Sequence, residues 1–149
     1  MFLKKSYHDI YHIIIKERIY EYWKNTKKID ETDYWDEKIL DIKGLYFLDE
    51  ITLIIDDEYK DTCWKIAFLS CYKVSYTTDA SWRKIKNVKE MIHSQLGYYG
   101  QDISVFKSEN IGFYKVYLDL SIMEMHIECK NISVDKISKK NLDLFWNYN

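Results

Sequence analysis

The chain has 149 residues, 47% of them apolar, with 5 Trp, 14 Tyr and 6 Phe; this composition excludes a disordered chain, which lacks the apolar area to offset its conformational entropy. The length fits one domain, residues 1–149, able to bury roughly two-thirds of the surface its unfolded form exposes. The formal net charge of -2 is nearly balanced, and apolar runs of about five residues, against about twenty for a membrane-spanning helix, exclude a helical span.

The N-terminal stretch MFLKKSYHDIYHIII lacks the uninterrupted apolar run of a signal peptide, so a cytoplasmic location is expected. From Ser6 to Asn25, the residues Tyr7, Ile10, Tyr11, Ile14, Ile15, Ile19, Tyr22 and Trp23 recur at three- and four-residue steps, which predicts an amphipathic helix. Ser6 with Asp9 makes a variant capping box, and Lys24 and Lys27 suit the negative end. His8 and His12 lie one turn apart and have the spacing to share a metal; with no third ligand in view they read as polar residues bordering the apolar stripe. Asn25 to Lys38 reads as a surface connector with Tyr34 and Trp35 at its middle.

Ile39 to Phe47 and Ile51 to Ile55 read as successive strands turning at Asp49 and Glu50, with a bulge or bend expected at Gly44. The acidic connector Asp56 to Thr62, DDEYKDT, is too long for a two-residue turn and rich in side chains that bond their own backbone. It lacks the glycine and terminal bidentate glutamate of a calcium loop. Trp64, Ile66 and Phe68, then Tyr72, Val74 and Tyr76, alternate with smaller or polar residues as a strand does. Ile51 to Thr78 therefore reads as one hairpin, and Ile111 to Val134 as a second that shares its sheet. Between them, Trp82, Ile85, Val88, Ile92 and Leu96 mark one face of a second helix, Ala80 to Leu96, closed by Gly97. Arg83, Lys84, Lys86 and Lys89 form its solvated basic face. A short strand, Ile103 to Phe106, follows a turn-like GYYGQD. Tyr114, Val116, Leu118 and Leu120, then Met123, Met125, Ile127 and Cys129, give two strands with one apolar face each. Ile132 and Val134 continue as a last strand, and Ser138 to Trp146 as a short helix burying Leu142, Phe145 and Trp146.

Chemistry-bearing motifs are sparse. Cys63, Cys71 and Cys129 show no CxxC spacing and lie in apolar runs, so they read as buried reduced thiols. Glu124, His126 and Glu128 share one strand face, an arrangement open to acid/base work; a metal-independent nuclease would have to recruit His93 and Lys89 to it. No phosphate-binding loop, dinucleotide glycine motif or hydrolase signature occurs, and no cofactor or metal is expected.

The strongest functional signal is the distribution of charge. Asp30 to Asp61 contains twelve acids and three lysines, a net of -9. Such a segment repels nucleic acid and attracts and steers a basic protein. The candidate contact residues are Tyr34, Trp35, Asp36, Glu37, Asp56, Asp57, Glu58, Tyr59 and Asp61, with Tyr34 and Trp35 as anchors among charges.

The stretches YFLDEITLIIDDEYKDTCWKIAFLSCYKVSY and FYKVYLDLSIMEMHIECKNISV, about half the chain, resemble small Tyr-rich cytoplasmic β-proteins of low-GC bacteria, some of them immunity proteins encoded beside polymorphic toxins. The resemblance carries no site residues. It implies a non-catalytic binding protein that neutralises a cognate toxin; a basic, nuclease-type toxin is the partner the acidic segment fits. A small hydrolase using His126 and a phage-encoded or structural interaction protein are the alternatives. The expected fold is α+β: a curved antiparallel, even barrel-like, sheet of about six to seven strands, covered by the N-terminal helix, with a second helix between two strand groups.

Overall fold

In the computed structural model, which describes residues 6–84 and 87–146, six strands form one antiparallel sheet. They are β1 (Ile39–Leu45), β2 (Glu50–Asp56), β3 (Thr62–Thr78), β4 (Tyr98–Lys107), β5 (Tyr114–Ser121) and β6 (Met123–Ser138). Their order is β1-β2-β3-β6-β5-β4, so two three-stranded meanders meet where the longest strands, β3 and β6, pair along their whole lengths. The two expected hairpins do share a sheet. The alternating residues fix which way it curls: Ile66, Phe68, Val116, Leu118, Leu120, Met125, Ile127 and Cys129 all turn into one interior cluster. A second, smaller cluster of Leu40, Ile54, Cys63, Met91, Leu96 and Trp146 covers the opposite face of the first meander. β6 is one strand of 16 residues, where two successive strands were expected, because β3 supplies a partner for all of it.

Helix α1 (Tyr7–Glu31) carries the expected capping box: Ser6 accepts from the Asp9 amide and the Asp9 carboxylate accepts from Ser6. It runs beyond Asn25, so half of the expected connector is helical. It also does not lie across the sheet as expected. Residues 7–17 are exposed throughout, and only its second half docks, through buried Asn25 and Ile29 and the Tyr22 hydroxyl, which donates to the Val105 carbonyl at 3.1 Å. Twenty-five residues make a rod of about 38 Å.

The expected helix Ala80 to Leu96 shrinks to a 3-10 turn at Val88–Glu90 and the single turn α2 (His93–Leu96); Ile85 and Lys86 lie outside the described residues. Local side-chain bonds compete with helix here: Asp79 accepts from the Ser81 amide at 3.0 Å and Asn87 from the Lys89 amide at 3.0 Å. The expected basic face breaks up as well, since Arg83 donates to the Leu96 carbonyl at 2.5 Å and lies over the Tyr98 ring. Gly97 does close α2 in the left-handed conformation, φ 86°. The GYYGQD stretch is strand, the first part of β4, rather than a turn. The expected C-terminal helix is a 3-10 turn, Lys139–Asn141; Trp146 is buried with its indole N–H donating to the Leu40 carbonyl at 2.8 Å, whereas Phe145 is half exposed.

The curl brings the two ends of the strand order together without closing them along their length. At one point they bond: the Asp36 amide donates to the Gly100 carbonyl at 2.8 Å, the Gly100 amide to the Glu37 carbonyl at 2.9 Å, and Lys38 bridges Tyr99. Gly100 permits this approach because a Cβ there would collide with the Tyr34 carbonyl oxygen. The bulge expected at Gly44 lies instead between Ile39 and Asp41; Gly44 serves to admit the Leu48 side chain. Gly100→Ala is expected to destabilise the protein by about 1–3 kcal/mol, through backbone displacement and weakening of this bond pair. Urea unfolding measures it; a change below about 0.5 kcal/mol, the ordinary range for surface sites, would mean that the junction gives way without cost.

Candidate partner-binding surface

Two loops converge at the junction end of the sheet. One, following α1, carries Asp33, Tyr34, Trp35, Asp36 and Glu37; the other, between β2 and β3, carries Asp57, Glu58, Tyr59 and Asp61. Both turn through left-handed residues, with φ of 49° at Asp33, 59° at Asp36 and 64° at Tyr59; aspartate tolerates this because its short side chain can bond locally. The Lys38 carbonyl ties the loops together by accepting from the Asp56 amide at 2.9 Å. Burial raises the Glu37 pKa, and the charges of Glu58, Asp56, Asp33 and Asp57 raise it further. The acids of the two loops thus sense one another.

The acids are not equivalent. Asp56 is buried and meets Lys139 Nζ at 2.7 Å. Asp57 meets Lys136 at 3.3 Å and Lys60 at 3.6 Å, and accepts from the Thr62 hydroxyl at 3.2 Å. Burial works to raise its pKa, but Lys136, Lys60 and Thr62 outweigh that and hold it below the ordinary value. Glu58, Tyr59, Asp61, Trp35 and Asp36 are exposed, while Tyr34 is partly buried and packs on the interior cluster. Asp36 accepts from the Gln101 side chain at 3.0 Å. Tyr34, Asp56 and Asp57 hold the two loops; Trp35, Glu37, Glu58, Tyr59 and Asp61 are presented by them.

The hydrolase constellation does not assemble. His126 is exposed beside the Tyr117 ring, with centroids 5.1 Å apart, but Glu128 is buried and accepts from the Ser108 hydroxyl. His93 is buried with Nε2 2.9 Å from the Ile39 carbonyl and its ring against Tyr99 and Trp146. His8 and His12 stack edge to face, 4.4 Å between centroids, and no group of three metal-ligating side chains occurs among the described residues. Burial pushes the Cys71 thiol up to about 11 and the Cys129 thiol up to about 12, which makes both poor nucleophiles.

A further exposed feature, at the opposite end of β2, carries no signal in the sequence. Tyr46, Phe47 and Leu48 are consecutively left-handed, with φ of 54°, 56° and 68°, and present two aromatic rings to solvent, Phe47 fully. Bulky residues without a glycine or asparagine carry no turn signal, so Tyr46 and Phe47 read as strand.

A family model described as Immunity protein PIM7 matches residues 22–136, from the point where α1 begins to dock on the sheet to near the end of β6. No curated protein matches. Among solved structures, an uncharacterized protein from Neisseria gonorrhoeae shows a TM-score of 0.48 at 11% identity, over 68% of this chain and 92% of that chain.

The Asp57 environment sets a pH dependence. A carboxylate whose folded pKa lies below its unfolded value contributes stability that is present above the unfolded pKa and lost as pH falls through the folded one; the ordinary value for this group is 3.8. Asp57→Asn is expected to be less stable than the parent at pH 7, with the gap closing below pH 3.8 as Asp57 protonates and releases Lys136 and Lys60. Denaturant unfolding from neutral pH down to about pH 2.5 measures the gap, and a constant gap would show that the charge contributes nothing.

Proposed function

The chain belongs to the PIM7 family of immunity proteins, and on that premise we propose that it neutralises a basic, nuclease-type toxin by covering the toxin's active surface with the acid-rich end of its sheet. Family membership supports an inhibitory role and a toxin as partner. The further reading, a basic toxin bound at this end, rests chiefly on the crowding of acids from two loops: burial raises the Glu37 pKa, and the charges of Glu58, Asp56, Asp33 and Asp57 raise it further. A cation brought between these acids relieves their mutual repulsion, so binding energy is available there that separated surface acids do not offer.

The exposed acids Glu58 and Asp61 steer the encounter, and Trp35 and Tyr59, both well exposed, are the anchors that a desolvated interface centre uses. Asp56 and Asp57, already paired to Lys139, Lys136 and Lys60, keep the loops in place. No group-transfer step is assigned to this chain. Inhibition by occlusion requires fast capture more than chemistry, since a toxin must be met before it acts, and long-range charge raises on-rates above the roughly 10⁵–10⁶ M⁻¹s⁻¹ of neutral partners.

Stopped-flow association with the cognate toxin tests this reading. Glu58→Lys together with Asp61→Lys is expected to slow association about ten-fold and to flatten its salt dependence, whereas Asp57→Asn changes the on-rate far less. An unchanged on-rate and salt slope in the double variant would place the toxin on another surface.

A further inference from the structure

Strand β3 outruns its neighbour. Its register with β2 ends at Phe68, and the Cys71 amide then donates to the Asp49 carbonyl at 2.7 Å. Beyond that point β3 passes through Tyr72, the extra residue of a register shift, and residues 73–78 pair with β6 on one side; among the described residues nothing bonds their other edge. These six residues, rich in Tyr, Val and Thr with one charge, Lys73, form a hydrogen-bonding edge of the kind that proteins ordinarily blunt. The edge is flanked by exposed aromatic surface: Tyr76 on the strand, and Tyr46 and Phe47 on the strained turn, which Asp49 ties to it; the Tyr72 ring leans the other way, 5.4 Å from that of Phe113.

We infer that this edge binds a second copy of the same chain, antiparallel and two-fold symmetric about Ser75. The edge sequence is self-complementary in that register. Val74 lies opposite Tyr76 of the second copy, Lys73 opposite Thr77, and Ser75 opposite Ser75. Each pair suits a sheet: a β-branched residue meets an aromatic, no like charges face each other, and Lys73 lies one diagonal step from Asp79 of the second copy. Val74 and Tyr76 are on the interior face, beside Met123 and Met125, so the added strand continues the apolar side of the sheet.

Ring surface and strand edge together supply the area. Tyr46, Phe47 and Tyr76 are each more than half exposed; at 150–250 Å² for a whole aromatic side chain, they offer roughly 350–600 Å² per copy, to which the strand edge at 73–78 adds, towards about 800 Å² per partner in a stable interface. Such an interface is isologous, contributing the same patch from both sides, as closed dimers do. It lies away from the acid-rich loops and does not depend on the toxin reading.

Sedimentation equilibrium of the full chain is the test. The expected species has twice the 18.2 kDa chain mass; a monomer at every concentration up to about 100 µM, the affinity of a weak encounter, would overturn the proposal. Ser75 is exposed, so substitutions there leave the fold intact, and circular dichroism checks this. Ser75→Lys places two cations face to face and is expected to raise the dimer dissociation constant at least ten-fold, as Ser75→Glu does with two anions. An equimolar mixture of the two variants is expected to restore a heterodimer of wild-type affinity. Ser75→Lys dimerising unchanged, or the mixture remaining monomeric, would refute this register. A monomer that loses toxin binding on Ser75→Lys would assign the edge to the toxin and refute self-association.

Discussion

The rest of the structure depends on the ladder between β3 and β6. These strands pair from Thr62 with Ser138 at one end to Thr78 with Met123 at the other, and each then carries a shorter meander on its outer side. A ladder this long cannot stay flat, because strands twist. The left-handed Ser70 at φ 53° and the register shift between Cys71 and Lys73 concentrate that bending at mid-strand. The bend turns Ile66, Phe68, Ile127, Cys129, Ile132 and Val134 towards one interior. Fully burying each large apolar side chain among them contributes about 1.5–3 kcal/mol, and a slip of one residue would turn the whole set outward.

What the sequence displays well is local alternation. Val116, Leu118 and Leu120, and Met123, Met125, Ile127 and Cys129, are buried as their period of two predicts, because antiparallel strands covered on one face sort their side chains by position alone. Ser6 and Asp9 cap the helix for an equally local reason. Legibility ends where distant partners decide. The period of Trp82, Val88, Ile92 and Leu96 is helical, yet Met91 is the residue drawn to full burial, against Leu96 and Trp146, and the short polar side chains of Asp79 and Asn87 bond the backbone first. In α1 the apolar stripe is as strong from Tyr7 to Ile19 as beyond it, but periodicity states only that one face is apolar. It does not state that the sheet reaches far enough to cover it.

The candidate surface divides in the same way. The density of acids between Asp30 and Asp61 is visible in the sequence, and the fold half-buries Glu37, which raises its pKa, and gathers Glu58, Asp56, Asp33 and Asp57 closely enough to raise it further. Invisible are the cations that return from the far end of the chain. Lys136 and Lys139 lie at the end of β6 and just after it, and β6 delivers them to Asp57 and Asp56 because Thr62 pairs with Ser138. That single long-range register relation decides which acids in DDEYKD remain free: Glu58 and Asp61 are presented to solvent, and the paired aspartates fix the loop that presents them.

The geometry of β2 gives this division a consequence for partners. Its seven residues, Glu50–Asp56, at about 3.3 Å each, separate the acid-rich loops from the aromatic turn at residues 46–48 by roughly 23 Å, and the open edge of β3 lies beyond the turn end. One end of the strand is charged, rigidly braced and poor in exposed aromatics apart from Trp35 and Tyr59; the other is nearly uncharged along 72–78, aromatic, and presents a strand edge that nothing among the described residues pairs. The first suits rapid electrostatic capture of a charged protein, the second a slower, directional contact whose strength comes from backbone bonds and ring burial. Because the two ends share β2 but no contact residue, occupation of one leaves the other open, and a pair of copies joined through β3 would still present two acid-rich ends to solvent.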